Sequence, residues 1–215
     1  DHCYVPVWLL RSGKVKQVYA SDINKGPLQR ARETAEEYGI KTGLELVLSD
    51  GMSHLNPDSV DAIIVAGMGG ETIAGILSAS DWIGEGRHAL ILQPMTKTEE
   101  LIRWLHLNGL RARDAALAED EGEIYLIILA GPGEPKPSVC ELYVPKVLAE
   151  KRDPLLGKYL DRQIRRITSA VEGLKSSRAP NKDVRLTQLE PVLEGLIKMR
   201  GEVEYANCER NSCVS

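Results

Sequence analysis

A chain of 215 residues, 43% hydrophobic and 27% charged, has the make-up of an ordinary globular protein, long enough for one sizeable domain and an appendage. It holds no apolar run of about 18 residues, which excludes a membrane-spanning helix, and a net charge of −4 argues against indiscriminate coating of nucleic acid. The charge is uneven, since Ser138 to Arg200 carries thirteen Lys and Arg against eight Asp and Glu, a balance of +5 that leaves −9 for the remainder and predicts different partners for the two parts.

The chain opens on DHCYVPVWLL, with neither Met nor the pattern of a signal peptide, and reads as a fragment whose start is absent. His2 to Leu10 starts as a helix with Pro6 in its first turn. A strand, Gln17 to Ser21, ends at Asp22. Asn24 then reads as the N-cap of a helix running to Tyr38, where Gly39 stops it. Leu44 to Leu48 is the next strand, closed by Ser49, Asp50 and Gly51. Ala62 to Ala66 is β-branched and too short for a buried helix, so it reads as a strand covered on both faces, hence part of a parallel sheet. It leaves through Gly67, Met68, Gly69 and Gly70 into a helix from about Glu71 to Ser80. A strand from Ala89 to Leu92, closed by Gln93, Pro94 and Met95, precedes a helix from Thr98 to Asn108. Arg111 to Ala118 and Ile124 to Ala130 flank the turn EDEGE as an antiparallel hairpin.

Alternating strands and helices with right-handed crossovers predict an α/β, doubly wound sheet over residues 1–130 that ends in this hairpin. The helix near His2 calls for a strand before it, so the sheet as written lacks its centre. GPGEPKP, 131–137, reads as a linker, because its glycines and prolines continue neither strand nor helix. Leu156, Leu160, Ile164, Ile167, Val171 and Leu174 then form a coiled-coil-like seam. SSRAPNKD interrupts it, and Leu186, Leu189, Leu193, Leu196 and Val203 form a second seam, with Arg200 in one position. The two predict an antiparallel helical hairpin over 138–205. A single copy satisfies its own seam, which favours a monomer over a dimer. Thr187 and Glu190 resemble a capping box, so Pro191 predicts a helix start near Thr187 or a kink. Residues 206–215 read as a disordered tail.

Open α/β sheets bind ligands beyond the carboxyl ends of their strands, which directs attention to Asp22, to Asp50 with Gly51, and to the glycine turn. Asp22 suits a ribose diol or a helix N-terminus. Asp50 and Gly51 suit a purine edge or a plain Asp-Gly turn. Gly67 to Gly70 suits a flat ligand or a tight turn alone. The Gln93 amide, beside Pro94, could read a base edge. Lys158, Arg162, Arg165 and Arg166 share one helix face, either as a solvated flank or as phosphate contacts. Cys3, Cys140, Cys208 and Cys213 are scattered, which favours reduced thiols in the cytoplasm over disulfides or zinc, and the histidines show no metal-ligand spacing.

Taken together, DHCYVPVWLL, SDINKGPLQRA, SDG, IIVAGMGG, LILQPM and EGEIYLIILA, followed by a helical hairpin, resemble the bacterial tRNA (adenine-N1)-methyltransferases that act on adenine 22. The resemblance implies a Rossmann-like methyltransferase domain using S-adenosylmethionine, and a coiled-coil domain that helps hold tRNA. It places Asp1, His2 and Tyr4 at the reacting base. Asp22 would take the ribose, Ile23 would pack on the cofactor adenine, and Asp50 with Gly51 would meet its edge. Ala66 and Gly67 fall to the cofactor, and Gly67 with Met68 to the reacting centre. Gly69, Gly70, Gln93 and Pro94 fall to the flipped base, and Lys158, Arg162, Arg165 and Arg166 to tRNA. Cys3 stands where the family usually has a small residue. The turn also lacks the proline and aromatic that amino-directed methyltransferases carry there, which suggests an acceptor other than an exocyclic amine. Two competing readings are a nucleotide-dependent oxidoreductase on the same sheet, and a non-catalytic protein whose helical hairpin docks a partner.

Overall fold

The computed structural model describes residues 2–133 and 136–212, with backbone alone for 84–85 and 207–212. In chain order the elements are α1 (Tyr4–Arg11), β1 (Val18–Asp22), α2 (Lys25–Glu37), β2 (Leu44–Leu48), β3 (Ala62–Gly69), α3 (Gly70–Ser78) and β4 (Ala89–Thr96). They continue with α4 (Thr98–Leu107), β5 (Leu110–Asp120), β6 (Glu123–Pro132), α5 (Lys146–Glu150), α6 (Leu156–Ser176) and α7 (Lys182–Ser212). Two compact units result, Asp1–Val60 with Gly75–Ile83, and Asp61–Ala74 with Gly84–Ser215. This division falls elsewhere than the linker 131–137. No helix among the described residues is long and apolar enough to cross a membrane.

In the first unit β1 and β2 form a two-stranded parallel sheet, paired from Val18 with Leu44 to Asp22 with Leu48. The crossover between them is α2, whose Ala31, Thr34 and Ala35 are buried at helical spacing. Gly39, at φ 71°, ends that helix as its sequence position predicts.

In the second unit the sheet has the order β3-β4-β6-β5. β3 and β4 are parallel, whereas β6 is antiparallel to both β4 and β5. Glu121 (φ 49°) and Gly122 (φ 83°) make the two-residue turn of the predicted hairpin, both in the left-handed region that such turns require. β3 departs from expectation. Ile63 and Val65 are buried but Ile64 is 41% exposed, so the strand buries one face rather than two. β4 is its only strand partner among the described residues. β6 also runs longer than predicted, because Gly131 and Pro132 pair with Arg111 and Leu110. Pro132 is its last residue, where a missing N–H is tolerated.

The helical hairpin is antiparallel. Arg200, late in α7, meets Asp161, early in α6, at 2.8 Å, while Lys175 at the end of α6 meets Glu190 at 2.9 Å. Leu160, Val171 and Leu196 of the predicted seams are buried, but in α7 Val192 is buried in place of Leu193. α7 begins at Lys182, not near Thr187, and contains Pro191. Thr187 does not cap; its hydroxyl donates to the Asp183 carbonyl at 2.9 Å. Residues 206–212 continue the helix where the sequence predicts a disordered tail.

Candidate active site

At the strand ends of the first unit, Asp22 is half-buried and Asp50 exposed. Asp22 Oδ1 accepts from the Asn24 N–H at 2.8 Å, which fixes the carboxylate at the mouth of α2. Asn24 occupies the N-cap position but contributes no side-chain cap. Gly51 sits at φ 61°, and its carbonyl accepts from Ser21 Oγ at 3.2 Å, tying the ends of β1 and β2 together. Ile23, next to Asp22 in the chain, is 64% exposed, an apolar side chain open to a flat ligand. At the start of α1 the His2 and Tyr4 rings stack with centroids 5.6 Å apart. Cys3 lies between them, buried, at φ 60°, and burial pushes its thiol up. Asp1 lies outside the described residues.

At the strand ends of the second unit the four residues of the glycine turn do different things. Gly67, at φ 77°, has no atom within 4 Å of where a Cβ would stand, and its turn exposes Ala66 and Met68. Gly70 is buried, with the Lys97 carbonyl in the space a Cβ would take. A Cβ at Gly69 would stand 3.2 Å from Thr96 Oγ1, a closer than ordinary contact but with a side-chain hydroxyl and not with backbone. The missing side chain at Gly70 makes room for the Lys97 carbonyl, so that β3 and α3 approach the end of β4 closely. Pro94 is buried and paired with Met68. Met95 is 48% exposed beside it. Gln93 Oε1 accepts from the Gly67 N–H at 2.8 Å, and its Nε2 donates to Met95 Sδ at 3.3 Å. Sequence reasoning missed Thr96 and Lys97. Lys97 adopts φ 55° just before α4, a conformation that nothing in PMTKT signals.

The basic face of α6 is largely engaged within the chain. Lys158 lies 2.9 Å from Glu119, Arg162 2.9 Å from Glu123, and Arg166 3.2 Å from Glu99. Three of the four cations expected to meet tRNA thus hold the helix to β5, β6 and α4. Spacings of four residues put them on one line, and the acids opposite are a tertiary fact. Arg165 is exposed and belongs to none of these pairs. No group of His, Cys, Asp and Glu suited to a metal ion occurs among the described residues.

The profile of the methyltransferase-domain family matches residues 1–128. The chain belongs to that family. This methyltransferase-domain chain is 31% identical over 134 residues to the tRNA (adenine(22)-N(1))-methyltransferase of Bacillus subtilis, a match covering 62% of this chain and 56% of the relative. It thus spans little more than half the length of that relative. Among solved structures it is similar to the B. subtilis m1A22 tRNA methyltransferase TrmK, with TM-score 0.80, 25% identity, and 93% and 88% of the two chains covered. It is also similar to Streptococcus pneumoniae Sp1610 in complex with S-adenosyl-L-methionine, with TM-score 0.74, 26% identity, and 90% and 88% covered. The fold is Rossmann-like, as the strand and helix order predicts.

Proposed function

We propose that this methyltransferase-domain protein transfers a methyl group from S-adenosylmethionine to N1 of adenine 22 in tRNA, in the cytoplasm where tRNA resides. The observation that carries the reading is the glycine-rich end of β3, which leaves open space at Gly67 and carries neither proline nor aromatic side chain. The similarity to the B. subtilis enzyme supplies the acceptor.

The donor group fits the residues present. The fixed Asp22 carboxylate would accept from ribose hydroxyls, Ile23 would cover one face of the adenine, and Asp50 with Gly51 would meet its edge. When bound, that cofactor supplies a methyl carried on a sulfonium. Adenine N1 is a neutral nitrogen with a lone pair, so transfer relocates the positive charge without creating one, and no strong base is required of the protein. The chain's task is to seat the base and hold N1 in line. N1 lies on the pairing edge, so the nucleotide must be unpaired or flipped. Tyr4 and His2, already stacked, would offer a ring face to that base, with Asp1 polarising its amino group. Arg165 would contribute a phosphate contact. A single helical hairpin buries its own seam at Leu160, Val171 and Leu196, which supports a monomer.

The test is a methyl-transfer assay with the full-length chain on unmodified tRNA, with the modified nucleotide mapped by primer extension. A block at nucleotide 22 is expected; no transfer, or transfer elsewhere, overturns the reading.

A further inference from the structure

The pairing of β3 with β4 runs without interruption from Ala62 with Ala89 to Ala66 with Gln93, and then skips a residue, so that Met68 faces Pro94. Gly67 is the residue left over, a bulge at the end of a parallel pair. The register shift takes Gly67 out of the regular ladder, and Pro94 opposite Met68 adds no N–H to it. The N–H of this bulged residue donates to a side chain, Gln93 Oε1, at 2.8 Å. A backbone N–H can be met only by the amide oxygen, so the orientation of the Gln93 amide is dictated by chemistry. Its nitrogen is engaged in turn by Met95 Sδ at 3.3 Å.

We infer that Gln93 is a positioning residue for methyl transfer, acting by clamping the Gly67 bulge and not by reading the base edge. The inference rests on the methyl-transfer reading above. At φ 77°, with open space where a Cβ would stand, Gly67 presents a surface whose position depends on one hydrogen bond to its N–H. Losing that bond frees the bulge to relax, and displacement of a reacting atom by about 1 Å costs on the order of a hundredfold in rate.

Gln93→Met, which keeps length but has no comparable acceptor, and Gln93→Glu, which keeps the acceptor, separate the alternatives in the full-length protein. Two readouts are taken, hydrogen exchange of the Gly67 amide by NMR and steady-state methyl transfer to tRNA. Q93M should speed Gly67 exchange several-fold and lower kcat ten- to a hundredfold with the KM for tRNA within about twofold. Q93E should restore slow exchange and most of kcat. Unchanged exchange in Q93M, or a Q93E protein as impaired as Q93M in both readouts, overturns the clamp, as does a raised KM with kcat intact, which would mean that the amide contacts the base. If the wild type methylates no tRNA, the functional reading falls, and the positioning role falls with it even where exchange shows the hydrogen bond. Should Q93M fail to fold, Q93E alone decides, and its slow Gly67 exchange and retained kcat are then required.

Discussion

Arg162 of α6 donates to the main-chain carbonyl of Ile124 at the start of β6, at 2.9 Å. The same guanidinium pairs with the neighbouring Glu123. A cation that satisfies a backbone carbonyl holds the helix in place, and a charge-assisted bond of this kind is worth about 1.5 kcal/mol or more, while the exposed ion pair adds little. Arg162→Ala should therefore lower stability by about 1–2 kcal/mol, read as a lower urea midpoint.

Arg165, one turn from Arg162 in sequence but outside those pairs, should behave oppositely. Arg165→Ala is expected to leave the urea midpoint unchanged and to lower the slope of log affinity for tRNA against log salt by about 0.7–0.9, the effect of one lost phosphate contact. An unchanged slope would remove Arg165 from the RNA surface.

The glycine turn offers a second contrast. An alanine methyl at Gly70 would collide with the Lys97 carbonyl, which is backbone and cannot swing aside. Gly70→Ala should cost about 1–3 kcal/mol. At Gly67 the methyl meets nothing within 4 Å, and the cost is that of a left-handed backbone, about 1–2 kcal/mol. Gly67→Ala should therefore fold but lose methyl transfer, because the methyl stands in the space proposed for the ligand. Melting curves and the transfer assay on both variants check this.

These contrasts mark what the sequence could carry. β2, Leu44–Leu48, was legible to the residue, because a short apolar run bounded by glycine and Ser-Asp-Gly has few other solutions. The hairpin turn at Gly122 and the helix stop at Gly39 were legible because each needs a positive φ. What escaped depends on what lies opposite. Nothing in IIVAG says that Ile64 stays exposed, and nothing in KYLDRQIRR says that Glu119, Glu123 and Glu99 face it. Gly67 and Gly70 are the same letter in one motif, yet one faces open space and the other a carbonyl.

Cys140 and Gly195 form such a hidden pair. The Cys140 thiol occupies the space a Cβ at Gly195 would need, and lies 3.8 Å from the Val192 carbonyl of the same helix. Gly195→Ala should destabilise by about 1–3 kcal/mol despite the helix propensity that alanine brings. Cys140→Ala combined with Gly195→Ala should recover most of that loss, giving a coupling energy above about 0.5 kcal/mol in a double-mutant cycle.

Stability at alkaline pH should depend on Tyr159. Its hydroxyl donates to the Tyr143 carbonyl at 3.3 Å, and burial pushes its pKa up to about 12, opposed only in part by the Arg166 and Arg162 cations. In the unfolded chain the phenol ionises near 10. Below that value both states hold the proton and stability is unaffected. As pH rises from about 10 to about 12 the unfolded state releases it while the folded state does not, so stability falls through this window by about 2–3 kcal/mol. Tyr159→Phe removes the titrating group. It should lose about 0.5–1.5 kcal/mol at neutral pH with the hydrogen bond, yet show a flatter decline of the urea midpoint between pH 10 and 12 than the wild type. Parallel declines in the two proteins would show that another group controls the alkaline limb.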